Sequence, residues 1–266
     1  MKDYALELSA KKSGYDAKLN IMREYIQAYA LRVMHDAGVF RSTAFLGGTA
    51  LRFLYELPRY SEDLDFSIAK PTEIAFSELM KKLKQEYAQA GYTVAVTYKE
   101  AKTVQSAFIK FSGLLYEAGI SPLKRQNFSI KIEIDTNPPQ GAGLETRLVN
   151  KYFPVSFLSY DLPSLFAGKI HALLSRKFTK GRDFFDLGWY LSRWKGLAPN
   201  FVLLENALKQ TGWEGEIPRE GNWRGFLSNV ARQADWKKVT QDVERFLENP
   251  QDLNVMTQEN ILRLLE

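Results

Sequence analysis

Phe45-Leu46-Gly47-Gly48-Thr49-Ala50-Leu51-Arg52, followed shortly by Ser61-Glu62-Asp63-Leu64-Asp65-Phe66, is the stretch on which the reading of this chain turns. A glycine pair stands between a short apolar run, Ala44-Phe45-Leu46, and a helical pattern over residues 49–56 that Pro58 ends. Lacking side chains, Gly47 and Gly48 let a phosphate or another backbone come close. The first amides of the following helix are unpaired and carry positive partial charge. A triphosphate suits that place. A tight strand-to-helix turn is the other reading of Gly-Gly by itself.

Asp63 and Asp65 sharpen the choice. Residues 64–68 have a strand pattern, and side chains two apart on a strand share a face. The two carboxylates therefore stand together, while Leu64 and Phe66 turn toward the core. Aspartate is depleted in strands and like charges repel, so the pair makes sense around a hard divalent cation. Mg²⁺ takes one or two carboxylates and completes its shell with phosphate oxygens and water. A strand end dipping into solvent is the plainer alternative.

A third carboxylate would make a two-metal site. In Ser129-Ile130-Lys131-Ile132-Glu133-Ile134-Asp135 the isoleucines form one face, and Lys131, Glu133 and Asp135 form the other. Asp135 ends that strand, where ligands gather in open α/β sheets, and is the third metal ligand the sequence offers. An exposed polar strand face is the competing explanation.

Outward from this centre, residues 16–36 and 72–90 have helical patterns, and residues 92–98, 107–112 and 128–135 have strand patterns. Beyond residue 158 only helical patterns follow, over 163–177, 182–194, 201–210, 223–231 and 236–247. The expected organisation is an α/β half, residues 1–157, joined near residues 150–160 to an all-α half, residues 158–266.

In the helix after Pro163, Lys169 falls between Leu165 and Leu173, inside the stripe that should face the core. Buried lysines pair with an acid or bind an anion, and triphosphate charge is one candidate. Snorkelling past its neighbours is another. Arg182-Asp183-Phe184-Phe185-Asp186-Leu187 opens the next helix. Asp183 suits a first turn as a cap. Asp186, among aromatic residues, is harder to explain that way. Lys169, Arg176, Lys177, Lys180 and Arg182 form a basic run with no acid between Lys169 and Arg182. Arg176, Lys177 and Lys180 are candidate RNA contacts; a solvated helix end explains such a run equally well.

Bulk properties narrow the class. The chain has 266 residues, 45% hydrophobic and 25% charged, which is globular rather than disordered. Zero cysteines exclude disulfides, thiolate metal sites and cysteine nucleophiles. No apolar stretch is long enough to span a membrane, and Met1-Lys2-Asp3-Tyr4 lacks a signal-peptide layout, so a cytoplasmic location is expected. The net charge of +5 suits an anionic partner.

The glycine segment, the Asp63-Leu64-Asp65 segment, Lys169 on its helix and the Arg182-to-Leu187 segment, in that order, resemble the AbiEii/AbiGii toxin family. These are toxins of type IV toxin–antitoxin and phage-defence systems, within the DNA polymerase β-like nucleotidyltransferase superfamily. The resemblance implies an α/β (α+β) core with a mixed sheet, followed by an all-α domain that contributes to the active-site cleft. It implies transfer of a nucleoside monophosphate from a nucleoside triphosphate, with Mg²⁺, to tRNA as the expected acceptor, and a cognate antitoxin as a further partner. It assigns Gly47, Gly48, Thr49, Arg52, Ser61, Lys169, Arg182 and Asp183 to the nucleotide. It assigns Asp63 and Asp65 to metal and catalysis, with Lys169 and Asp186 as further catalytic groups. The fourteen residues between Gly48 and Asp63 exceed the usual superfamily spacing, so a longer connection is expected there.

Two other readings use the same residues. One is a small-molecule nucleotidyltransferase of the antibiotic-modifying kind. The other is a nucleotide-binding regulatory module without catalysis, which intact Asp63, Asp65 and Lys169 disfavour.

Overall fold

The computed structural model describes residues 1–71, 75–176, 178 and 180–266, and these divide into two units. The first comprises Met1–Glu56, Tyr60–Asn137 and Thr146–Ser159; the second comprises Leu57–Arg59, Pro138–Glu145 and Tyr160–Glu266. A single cut at residue 157 leaves out two short segments, Leu57–Arg59 and Pro138–Glu145, that belong to the second unit.

In the first unit, helices α1 (Lys2–Ala10) and α2 (Tyr15–Asp36) precede strand β1 (Thr43–Leu46), helix α3 (Gly47–Tyr55) and strand β2 (Asp63–Ile68). Helix α4 (Phe76–Gln89), strands β3 (Val94–Lys99) and β4 (Val104–Phe111), the short α5 (Leu114–Glu117) and strand β5 (Phe128–Asp135) follow. The helix expected from residue 72 thus starts at Phe76, and residues 72–74 lie outside the described part.

Strands β6 (Leu144–Asn150) and β7 (Pro154–Tyr160) occupy the stretch that the sequence presents as a junction. They complete a seven-stranded sheet of order β3-β4-β5-β2-β1-β7-β6. The sheet is mixed: β2 runs antiparallel to β1 and parallel to β5, and β7 is parallel to β1. Sequence alternation hides β6 because Leu144 and Leu148 are exposed on this edge strand.

Alternation explains the central strands. Ile130, Ile132 and Ile134 of β5 and Leu64 and Phe66 of β2 are buried. Phe45 of β1 stacks between Phe66 and Phe157, at ring separations of 5.2 and 5.3 Å. Burying each such ring contributes about 2–3 kcal/mol. This apolar layer leaves the opposite side of β2 and β5 to Asp63, Asp65, Lys131 and Glu133.

The second unit carries α6 (Leu162–Ser175), α7 (Gly181–Arg193), α8 (Phe201–Gln210), α9 (Trp223–Gln233), α10 (Trp236–Glu244) and α11 (Gln258–Leu265). Asp161 caps α6 by accepting from the Ser164 amide at 2.9 Å, and Pro163 fits its first turn. Phe166 of α6 stacks on Tyr190 of α7 at 4.4 Å, and Trp223 of α9 meets Phe166 edge-on. Among the described residues no helix is long and apolar enough to cross a membrane.

Candidate active site

Leu46, the last residue of β1, is paired with Asp65 of β2, so the chain turns into α3 directly over the Asp65 side chain. Gly47 makes that turn at φ +80°, and a Cβ there would collide with the Asp65 carboxylate. The pair of glycines is therefore both a turn and a place of close approach. No side chain caps the start of α3, which leaves its first amides to a ligand or water. Thr49, expected to add a hydrogen bond to phosphate, is buried and donates its hydroxyl to the Asp63 carbonyl instead.

Asp63 and Asp65 are partly exposed on one face of β2, and the parallel pairing with β5 sets what stands beside them. Lys131 is in register with Asp63, and Glu133 with Asp65. Asp135, the third ligand offered by the sequence, is in register with Ser67, and its carboxylate accepts from the Asn137 amide at 2.9 Å. Register thus brings Glu133 alongside Asp65 and sets Asp135 one further step along the face. The sequence could not decide between them because both alternate correctly; only the stagger of the two strands separates them.

Among the described residues no three acidic or histidine side chains converge as a ready-made metal cage. Mg²⁺ does not need one, since it is held by one or two carboxylates plus substrate phosphates and water. Hard carboxylate oxygens and the room that Gly47 leaves over Asp65 fit such an ion. Asp63 and Asp65 would hold it.

Helix α2 supports this region with polar groups that nothing in the motifs announces. Gln27, 1% exposed, donates through its side-chain nitrogen to the carbonyls of Ser61 and Glu62, at 3.2 and 2.8 Å. Those carbonyls immediately precede β2, so Gln27 fixes the approach to Asp63. Glu24, equally buried, accepts from Arg52 of α3 at 2.5 Å, from Lys151 at 2.9 Å and from the Tyr152 hydroxyl at 2.8 Å. Burial would raise the Glu24 carboxyl, yet the charges of Arg52 and Lys151 and their hydrogen bonds hold it below its ordinary value.

Two motif-derived assignments change here. Arg52 is 5% exposed, bonded to Glu24 and stacked over Tyr60 at 4.7 Å, so it fastens α3 to α2 rather than reaching for phosphate. Ser61 contributes its carbonyl to Gln27, a role that any residue could fill.

In the second unit Lys169 is neither isolated nor free to snorkel. Its ammonium lies 2.6 Å from Asp186 and 3.3 Å from Asp183. Asp186 has no exposed surface, and Arg59 grips both of its oxygens, each at 2.6 Å. Burial pushes the Asp186 carboxyl up, but the charges and hydrogen bonds of Arg59 and Lys169 prevail and lower it. A carboxylate held this way anchors the two cations. Asp183 pairs with Lys169 and Arg176 instead of capping α7.

Arg182 lies over the Phe246 ring at 4.1 Å, with its amide on Asp242 at 3.2 Å. Gly181 explains that closeness: a Cβ there would strike the Val239 carbonyl of α10. These contacts hold Arg182 against the helical core. Of the expected RNA contacts, Arg176 is paired with Asp183 and Lys177 lies outside the described residues. Lys180 is half-buried, and burial together with the charges of Arg182 and Arg176 lowers its pKa.

Sequence reasoning missed Glu24, Gln27 and Arg59. For the first two a signal existed: polar residues three apart in a helix whose neighbours Met22, Ile26 and Ala30 are buried. Arg59 carried no signal, because its partner is 127 residues away.

The fold recurs in solved nucleotidyltransferase structures. A candidate nucleotidyltransferase from H. pylori matches with TM-score 0.54 and 17% identity, covering 92% of this chain and 96% of that one. MenT4, a nucleotidyltransferase toxin from Mycobacterium tuberculosis, matches with TM-score 0.53 and 14% identity, covering 100% of this chain and 89% of that one. At these identities the likeness speaks for the fold. No curated protein sequence matches the chain. The family description "Nucleotidyl transferase AbiEii toxin, Type IV TA system" matches residues 30–258, which takes in α3, β2, β5, α6 and α7. The chain belongs to the AbiEii family of nucleotidyltransferase toxins of type IV toxin–antitoxin systems.

Proposed function

We propose that this nucleotidyltransferase moves a nucleoside monophosphate from a nucleoside triphosphate onto tRNA, with Mg²⁺ held by Asp63 and Asp65. The observation that carries this reading is the Gly47 turn over Asp65, which puts uncapped α3 amides beside a strand carboxylate pair. The amides receive phosphate oxygens, and Asp63 and Asp65 receive the metal. Magnesium there supplies positive charge to the phosphoryl oxygens as they react. The acceptor hydroxyl forms a bond to the α-phosphorus, the bond from that phosphorus to the bridging oxygen breaks, and pyrophosphate leaves. The hydroxyl proton passes to solvent.

Gln27 and Thr49 keep the approach to β2 fixed, so the carboxylates need no rearrangement when the nucleotide arrives. Lys169, oriented by Asp186 and Asp183, meets triphosphate charge. Asp135 is kept as an outlying carboxylate on the same face, behind Glu133. Lys177 and Lys180 attract the tRNA backbone, and the net positive charge assists. A cognate antitoxin, expected for the family, restrains the activity in the cell, and the reaction belongs to the cytoplasm and to phage defence.

Incubation with each labelled nucleoside triphosphate, Mg²⁺ and either total tRNA or a panel of aminoglycosides tests the proposal. Label incorporated into tRNA, and lost on chelation or in Asp63→Asn, is the expected result. Label only in a small acceptor would replace tRNA with that class of substrate. No transfer to any acceptor would leave a nucleotide-binding module.

A further inference from the structure

The sheet face that carries Asp63 and Asp65 continues past β5 onto β4 and β3. Across the β2–β5 pair Lys131 is in register with Asp63, and across the β5–β4 pair Phe108 is in register with Lys131. Thr97 of β3 stands opposite Phe108, and Lys99 stands opposite Ser106. Alternation fixes the side. Ile109 and Phe111 of β4 join Ile130 and Ile132 in the core with no exposed surface, so Phe108 and Lys110 turn the other way.

Phe108 is 42% exposed although β4 is an interior strand. A single exposed phenylalanine can be ordinary apolar surface. Its neighbours decide otherwise here. The Lys131 ammonium lies 6.0 Å from the ring centre, and Lys99 and Lys110 are exposed on the same face. An open sheet that presents an aromatic ring among lysines can stack a nucleobase while the charges track its backbone.

Sheet order says which nucleotide. Strand β1 and the start of α3 lie on one side of β2, and β5 and β4 lie on the other. With phosphate oxygens on the α3 amides, pyrophosphate leaves on the β1 side. The attacking and leaving oxygens stand roughly in line at the reacting phosphorus, so the acceptor hydroxyl enters from the β5 side. Neighbouring strands are about 4.8 Å apart, which sets Phe108 about 10 Å from Asp63 in that direction. A ribose and its base bridge that distance.

We propose that Phe108 is the stacking platform for the terminal base of the acceptor RNA, with Lys99 and Lys110 holding the phosphates that precede it. The proposal rests on the RNA acceptor and the phosphate site given above. It requires an acceptor end that is single-stranded, and it tolerates any base there, because every base has a π face.

The test uses the full chain. Binding of a labelled single-stranded RNA hexanucleotide is followed by fluorescence anisotropy without metal or triphosphate, and transfer assays give KM for tRNA and for the nucleoside triphosphate. Phe108→Leu keeps an apolar side chain and removes the π face. It should weaken hexanucleotide binding about tenfold and raise KM for tRNA by a similar factor, with KM for the triphosphate unchanged. Phe108→Trp should bind at least as well as wild type. Lys99→Gln together with Lys110→Gln should lower the salt slope of binding by about 1.4, at about 0.7 for each phosphate on a single strand.

Unaltered hexanucleotide affinity in Phe108→Leu overturns the proposal. An equal loss in Phe108→Trp overturns it too, since the position would then matter for packing alone. A raised KM for the triphosphate with unaltered RNA binding would give the ring to the incoming base instead. An unchanged salt slope in the double variant removes the two lysines from the backbone path. Wild-type protein that binds neither the hexanucleotide nor tRNA identifies the other failure, that of the RNA acceptor itself.

Discussion

The acidic cluster on strands β2 and β5 and the acidic cluster on helix α7 are built in opposite ways. On the strands, Asp63, Asp65 and Glu133 are partly exposed, and Lys131 pairs with Glu133. On α7, Asp183 and Asp186 are buried and matched by Arg59, Lys169 and Arg176. Buried charge is tolerated only when it is paired and hydrogen-bonded. Carboxylates that reach solvent are what an incoming cation can use. Motif spacing treats the two clusters alike, and burial tells them apart.

The largest break in this comparison comes from the exposed side. Asp63→Asn or Asp65→Asn should lower the transfer rate about a thousandfold or more, since each removes charge from a metal ligand worth several kcal/mol. Their urea unfolding midpoints should stay close to wild type, because neither side chain belongs to the apolar layer. A stable variant with near-normal turnover in Mg²⁺ would reassign these residues.

On the matched side the expectation reverses. Arg59→Met leaves the buried Asp186 with Lys169 as its remaining cation and should cost about 3 kcal/mol of unfolding free energy, read from urea titrations. Asp186→Asn should cost a similar amount. The pH dependence follows from the lowered Asp186 carboxyl. Its folded-state value lies below the unfolded one, so its contribution is complete above about pH 4 and is lost as pH falls through the folded value. Asp186→Asn should lack that acid-side loss. An identical acid limb in wild type and variant would mean that other carboxylates set it.

Gly47→Ala tests the geometry between these extremes. A Cβ at φ +80° is strained by about 1–2 kcal/mol and also meets Asp65, so stability should fall modestly and Mn²⁺ affinity clearly. Equal Mn²⁺ binding in Gly47→Ala would show that Asp65 does not need the space. The smallest effect belongs to the basic run. Neutralising Lys177 and Lys180 together should weaken tRNA binding and reduce its salt slope by about 1–2. Superimposable salt titrations would remove both from the RNA surface.

Much of the fold was legible in the sequence, and for identifiable reasons. Isoleucine alternation fixed β5, the helical stripes fixed α2, α6 and α7, and the Gly-Gly break marked where β1 becomes α3. The N- and C-terminal helices α1 and α11 and the strands β6 and β7 were not read. The apolar residues of α1 and β6 are few or exposed, so their periodicity is faint. Residues 72–74 and Lys177 lie outside the described structure.

What the sequence by itself determined is local: the alternation that sets Asp63 and Asp65 on one face, the glycines that permit close approach, and the family to which these motifs belong. What only the tertiary structure decided is pairing between distant residues. The stagger of β2 on β5 chose Glu133 over Asp135 as the neighbour of Asp65. The burial of α2 turned Arg52 toward Glu24, and Arg59 reached across 127 residues to claim Asp186. A carboxylate's chemistry depends on the charges and water within a few ångströms of it, and chain spacing encodes neither once the contacts are non-local.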